Sequence, residues 1–382
     1  MSNPMIAGRP DTPMGRALAQ RVLSHIGPER TTAGGSAVDL TTAEPASTPE
    51  HVGQTAKAAL DQGETHYTEA SGIPPLRQAV SKHLAELGFA VEPESIGISN
   101  GGTEAVYIAL QVALKPGDRA LIVEPMSKHM VDMVEFIGAE PVRVEVEAAQ
   151  NFLPDPASIA NTDARALLIA SPSPITGKRI PDERLEEIVA AARANGMAVI
   201  LDLSYAAGLY EPSPVQFSDP KLAEEIVLTG SFSTAHGLAG WRVGYFSSPA
   251  ADRVLLQGLK TAMSICTTAV SQFAAVAALE EPDGWFEQRR IAFSANRDLV
   301  TAMLDEAGIG YVKPDAFPPL LIDVSQFGGG DDAARRLADA GVIVDSGTIF
   351  GESTRDYIRI NLGAPEEALI QGLGRIVELS RG

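Results

Sequence analysis

Four groups of residues in this chain have the types and spacing to bind an anion or move a proton. Ser231 and Ser233 lie a few positions before Arg242. An arginine with two hydroxyls suits a phosphate dianion, because the planar guanidinium donates in a fork and the hydroxyls serve the remaining oxygens; the plainer reading has Arg242 packing against backbone carbonyls. Ser99-Asn100-Gly101-Gly102-Thr103 follows a strand-like run and opens a helix-like one. Its glycines let backbone approach a ligand, the free N–H groups of a helix start favour an anion, and Thr103 adds a hydroxyl. An ordinary helix entry reads the same way. Asp202 ends the apolar run Ala198-Val199-Ile200-Leu201, where open α/β sheets place ligands. Its carboxylate could pair with a protonated ring nitrogen, and Tyr205 could hydrogen-bond a ring hydroxyl; a strand-end turn with a surface acid is the alternative. Arg359, in the alternating run Tyr357-Ile358-Arg359-Ile360-Asn361, could grip a substrate carboxylate or pair with a nearby acid such as Asp356.

These residues need a scaffold, and the apolar pattern supplies one. Ser95–Ser99, Arg119–Val123, Ala166–Ala170, Ala198–Asp202, Glu225–Thr229 and Arg242–Phe246 are short apolar runs bounded by turn residues, the pattern of buried parallel strands. Helical periodicity fills Thr103–Leu114, Asp182–Asn195 and Ala250–Thr261. Alternation of this kind predicts a mostly parallel sheet covered by helices on both faces. Residues to about Gly35 read as an arm with a short helix, and Val38 to Pro49 as a connector. A long helix is expected from Trp285 to Glu306, ending at Gly308, followed by strands at Leu320–Val324, Val342–Asp345 and Tyr357–Asn361, a helix at Asp332–Ala340 and a last helix from Pro365. The expected division is an arm with a small-domain segment at 1–48, a large cofactor-binding-type α/β domain at 49–290 and a smaller α+β domain at 291–382.

Composition narrows the classes. The formal charge of −19 argues against nucleic acid or an anionic membrane as a partner. One cysteine, Cys266, allows no intrachain disulfide and no thiolate cluster, which suits a reducing cytoplasm. Met1-Ser2-Asn3-Pro4 opens no basic segment with an apolar core, so no secretory signal is expected, and no apolar run approaches a membrane span. The six histidines show no metal-ligand spacing. Neither a Gly-x-Ser-x-Gly elbow between strand and helix nor a Gly-Lys-Ser/Thr phosphate loop is present.

Taken in order, these segments resemble the fold-type-I, pyridoxal-phosphate (PLP) class I/II aminotransferases over nearly the whole chain. Tyr67-Thr68-Glu69-Ala70-Ser71-Gly72-Ile73-Pro74-Pro75-Leu76-Arg77 is similar to that family's Tyr…Gly…Leu-Arg segment, and Pro116-Gly117-Asp118 to its turn before the next strand. The resemblance implies a PLP-transferase fold and a homodimer with active sites at the interface, in which Tyr67 reaches the partner's cofactor phosphate. It assigns the phosphate to Gly102, Thr103, Ser231, Ser233 and Arg242, the ring nitrogen to Asp202, the ring hydroxyl to Tyr205, and the substrate carboxylate to Arg359.

The resemblance breaks around the ring. In Ser231-Phe232-Ser233-Thr234-Ala235-His236-Gly237-Leu238-Ala239-Gly240-Trp241-Arg242, Thr234 stands where the family has the lysine that bonds PLP, and a hydroxyl cannot form an imine. In Ser171-Pro172-Ser173-Pro174-Ile175-Thr176-Gly177, Pro174 stands at the position of an asparagine that donates to the ring, and proline's side chain has no donor. In Pro125-Met126-Ser127-Lys128-His129, Ser127 replaces a stacking aromatic, although His129 is close by. Ser127, His129 and Pro174 are assigned to the substrate-facing wall. The lysine's work of holding the cofactor and carrying a proton must pass elsewhere. Thr234, Tyr205 and His236 are the candidates, with Lys128 as a relocated amine set against a solvated helix-start lysine. Ser264-Ile265-Cys266-Thr267-Thr268 lacks the arginine that aspartate-specific members place there, which disfavours a dicarboxylate.

The expected function is a divergent aminotransferase-fold enzyme that acts on a small amino-acid-like or carboxylate metabolite and holds PLP, its amine form pyridoxamine phosphate (PMP) or a PLP adduct without a covalent bond. A cofactor-independent enzyme using the old phosphate and carboxylate sites is the first alternative. A non-catalytic binding or regulatory protein is the second. No metal is expected.

Overall fold

The computed structural model describes residues 37–42, 48–280 and 284–381; the expected N-terminal arm lies outside them. The strands run, in chain order, β1 Val38–Asp39, β2 Ile96–Ser99, β3 Arg119–Val123, β4 Glu140–Val144, β5 Ala166–Ala170, β6 Ala198–Asp202, β7 Val227–Ser231, β8 Gly244–Ser247, β9 Tyr311–Val312, β10 Pro319–Asp323, β11 Val342–Ile343, β12 Asp345–Ser346 and β13 Tyr357–Asn361.

Seven strands form one sheet in the order β2-β8-β7-β6-β5-β3-β4. β7, β6, β5, β3 and β4 pair in parallel, and β8 is antiparallel to both of its neighbours. All five residues of β5 are buried, because helices cover both faces of the sheet, and a strand covered twice reads as an unbroken apolar run. Alternate residues serve opposite layers. Leu167, Ile169, Val199 and Leu201 join a core with Leu76, Val80, Leu84, Leu185 and Ile188. Ala166, Leu168 and Ile200 join another with Val106, Ile108, Val131 and Val134.

A further core surrounds the four-stranded antiparallel sheet β12-β13-β10-β9. Phe293, Val300 and Leu304 of the helix Trp285–Ala307 pack there on Leu320, Ile322, Ile358 and Ile360, with Leu369, Leu373 and Ile376 of the helix Glu366–Arg381. Val38 and Leu40 belong to this core. The expected connector therefore contains β1, which pairs in parallel with β11.

Some boundaries move. β7 and β8 start two residues later than the apolar runs suggest, and the helix expected at Ala250–Thr261 spans Arg253–Ser264. β4 went unread because it is an edge strand with Glu140 and Arg143 exposed, so it lacks the unbroken apolar pattern of its buried neighbours. The helices Glu50–Asp61, Pro74–Glu86, Lys128–Ile137 and Ala269–Glu280 complete the layers.

Candidate functional site

The carboxyl ends of β2, β6 and β7 meet at one edge of the sheet. β8 begins there too, because it runs the other way: Gly244 is opposite both Ser99 and Ser231. Arg242, just before β8, is thereby brought to the start of the helix Gly102–Ala113. The fit is close. A Cβ on Gly101, whose φ is +84°, would lie 2.4 Å from Arg242 Nη2, and one on Gly102 would lie 3.0 Å from Ser231 Cβ and 3.2 Å from Ser204 Oγ. The positive φ at Gly101 favours glycine, and a side chain at Gly102 would press on Ser231 and Ser204. Arg242 Nη1 donates to the Ala239 carbonyl at 3.0 Å and Nη2 to the Asn100 carbonyl at 3.4 Å. Among the described residues no carboxylate pairs with it, so N–H donors remain on an exposed cation. Ser231 Oγ accepts from Ser233 N at 3.1 Å and donates to Ser233 Oγ at 2.8 Å. Thr103 is exposed in the first helical turn. These groups form a cradle for a small anion.

Behind the cradle lies a network that the sequence did not disclose. Glu104 accepts from Asn100 N at 2.6 Å, Asn100 Nδ2 at 3.1 Å and Ser264 Oγ at 2.8 Å. The buried Lys260 ammonium sits 3.5 Å from Glu104 and 2.5 Å from Ser264 Oγ. Desolvation by burial lowers the Lys260 pKa, opposed by Glu104.

Asp202 is buried at the end of β6. Its Oδ1 accepts from Ser204 N at 3.0 Å and Ser204 Oγ at 2.6 Å. Desolvation raises its pKa, and the two bonds from Ser204 hold it down in part. A buried acid of this kind is relieved by a cationic partner. Ser204 is a site residue that the sequence reading passed over; the signal available was a hydroxyl two positions after an aspartate, which favours such a turn. Burial is the main influence on the Tyr205 phenol and raises its pKa, with the Arg359 charge and the nearby Thr234 side chain opposing it and the Asp202 charge adding to it. Thr234 thus belongs to the Asp202–Tyr205 group, and its carbonyl accepts from the buried Arg289 at 3.0 Å.

His236 is placed elsewhere. Its ring packs edge-on to His83 and Phe232, with centroids 5.4 and 5.2 Å away, and tilted against Phe286. Desolvation, then His83 and Arg289, keep it neutral. The segment 232–238 is threaded between cores: Phe232 and Leu238 enter one and Ala235 the other, so side chains close in sequence face different surroundings. His236 and His83 line a cavity of about 570 Å³ with Lys82, Phe286 and Arg290. That cavity includes none of Asp202, Tyr205, Thr234, Arg242 or Arg359.

Arg359 Nε and Nη2 donate to Asp345 Oδ2 at 3.1 and 2.6 Å, and Nη1 donates to the Pro174 carbonyl at 3.4 Å. The acid beside it is therefore Asp345 rather than Asp356, a pairing set by strand register. Pro174 contributes a backbone acceptor to this wall. Ser127 precedes the helix Lys128–Ile137 without capping it through its side chain, and His129 is half-buried in the first turn. Lys128 pairs with the buried Asp132 at 2.8 Å, which leaves it a role on its own helix. Tyr67 is 81 % exposed. Among the described residues no cluster has the make-up of a metal site, and no helix is long and apolar enough to cross a membrane.

A family model for aminotransferase class I and II matches residues 36–376. This chain belongs to that family. It is 33 % identical over 355 residues to an aspartate/prephenate aminotransferase of Thermus thermophilus, covering 90 % of both chains. It is 32 % identical to an arginine–pyruvate transaminase of Pseudomonas aeruginosa over 86 % of each. A solved variant of Thermus thermophilus aspartate aminotransferase superposes with a TM-score of 0.84 at 31 % identity, covering 92 % of this chain and 98 % of the other. The α/β fold with a mostly parallel central sheet is that of the PLP transferases. The family's cofactor is PLP.

Proposed function

We propose that this aminotransferase-family chain holds PLP or PMP without a covalent bond and acts on a small amine-bearing metabolite. The observation that carries the reading is the buried Asp202 at the end of β6, held among the described residues only by Ser204, with the hydroxyl of Thr234 rather than an amine nearby. The residues present fit the cofactor. Gly101 and Gly102 let the backbone approach closely, Arg242 has donors left over, and Asp202 is buried with its pKa raised by desolvation.

When bound, the cofactor supplies an electron-withdrawing ring. The chain does the rest. Gly102, Thr103, Ser231, Ser233 and Arg242 hold the phosphate. Asp202, oriented by Ser204, holds the ring nitrogen protonated. Tyr205 is a protonated phenol at neutral pH, and burial raises its pKa further; its Oη would donate to a ring or substrate oxygen, with the Thr234 side chain beside it. His236, packed among aromatic rings, is left out of the chemistry. The cofactor-independent alternative is favoured only by Pro174 and Ser127, which lack the side chains to hold a ring.

The exposed Tyr67, Val254, Leu255 and Ile265 support a homodimer with Tyr67 reaching the partner's phosphate. We keep the division at 49 and 291, since Val38 and Leu40 pack in the core of 293–376, and a cytoplasmic setting, since Cys266 has no partner for a disulfide. Calorimetric and absorbance titrations with PLP and with PMP test the reading. Binding below millimolar concentration, with no pyridoxyl-modified peptide after borohydride, is expected; no binding of either at millimolar concentration removes it.

A further inference from the structure

Arg359 reaches the Pro174 carbonyl on the wall beside the sheet's carboxyl ends, and its guanidinium carbon sits 4.3 Å over the Phe350 ring. Each of its three nitrogens already has a protein acceptor: Nε and Nη2 bond Asp345 Oδ2, and Nη1 bonds the Pro174 carbonyl. The two side chains are largely shielded, at 16 % and 20 % exposure. β12 and β13 set Asp345 directly opposite Arg359, so the sheet itself delivers the acid to the cation. A carboxylate arriving at the same fork would face Asp345 at close range with one positive charge between them. In a half-buried site such like charges cannot both be compensated. A guanidinium has five N–H donors and the protein uses three, so a neutral oxygen can still be received.

We infer that Asp345 is a specificity-determining residue: it fills the place at Arg359 that a substrate carboxylate would take, and the site selects primary amines or amino alcohols over α-amino acids. This rests on the cofactor reading above. Asp345 also changes what Arg359 is for: it becomes a neutralised, oriented donor rather than an anchor for an anion.

The test uses two stable ligands in which the phosphopyridoxyl methylene is joined through a C–N single bond to ethylamine or to L-alanine, so that they differ only by the carboxylate. Calorimetry on the native chain should find the ethylamine compound at least tenfold tighter. Asp345→Asn should reverse the order, because Arg359 is then released to bind the carboxylate. A native preference for the alanine compound overturns the inference, as does an unchanged ratio in folded Asp345→Asn or Asp345→Ser. If neither compound binds the native chain, the cofactor reading falls and this inference with it; the native ratio decides even where a variant does not fold.

Discussion

At the anion end of the cleft Gly101, Gly102, Ser231 and Arg242 interlock so tightly that a single added methyl at either glycine meets a neighbour. At the ring end the positions of Thr234, Pro174 and Ser127 hold a hydroxyl, a ring without a donor and a second hydroxyl. The first region is closely packed glycine, hydroxyl and guanidinium, whereas the second sets hydroxyls and a proline around Asp202. The difference teaches that the two tasks of such a cleft separate. Charge and backbone donors can hold a phosphorylated ring, while the covalent tie governs reactivity and exchange. A ligand gripped at one end only by charge and hydrogen bonds must come and go by equilibrium.

The comparison can be broken most sharply at Thr234. Thr234→Lys restores an amine beside Tyr205, and borohydride followed by peptide mapping should then find a pyridoxyl group on residue 234 where the native chain shows none. A trapped native peptide would show the tether to be elsewhere. Asp202→Asn keeps shape and removes charge. A hydrogen bond to a charged group is worth about 1.5–3 kcal/mol, so the PMP dissociation constant should rise roughly ten- to a hundred-and-fortyfold by calorimetry. Arg242→Ala probes the other end. PMP should weaken by about tenfold or more, while pyridoxamine, which lacks the phosphate, should be unaffected; equal losses for both would place Arg242 outside the cradle.

The histidine cavity gives a pH test of a region separate from both ends. Burial holds His83 down at about 4, below its ordinary 6.5, and pushes His236 the same way. The folded chain then binds fewer protons than the unfolded one between those values. Stability present above pH 6.5 is lost as pH falls toward 4, by about 3 kcal/mol at most for His83. Urea midpoints at pH 7 and 4.5 should show the fall, and His83→Gln should flatten it. The smallest effect belongs to Lys128→Ala. Its half-exposed ammonium bonds the buried Asp132 on the same helix, so thermal stability should fall while PMP affinity stays the same. Lost affinity would instead make Lys128 part of the ring site.

Much of the fold was readable because β3, β5 and β6 are buried on both faces and so write themselves as unbroken apolar runs. β4, exposed along its edge, left no such trace. The same contrast holds among site residues. Asp202 and Arg242 stand beside strand ends, where position carries meaning. Glu104 and Lys260 act through partners that only folding supplies. His236 shows the converse: sequence proximity to Thr234 says nothing about direction once the segment is threaded between two cores.

From the sequence alone came the family's order of segments, the spacing of the glycines and Arg242, and the threonine at 234, because residue identity and local spacing carry all of these. Which side chains meet across the chain was decided by the tertiary structure. Asp345 reaches Arg359 because two short strands are in register, and His236 packs on His83, Phe232 and Phe286 while its neighbours Phe232 and Ala235 are claimed by different cores. Long-range pairing depends on where strands lie side by side, and no short stretch of sequence specifies that.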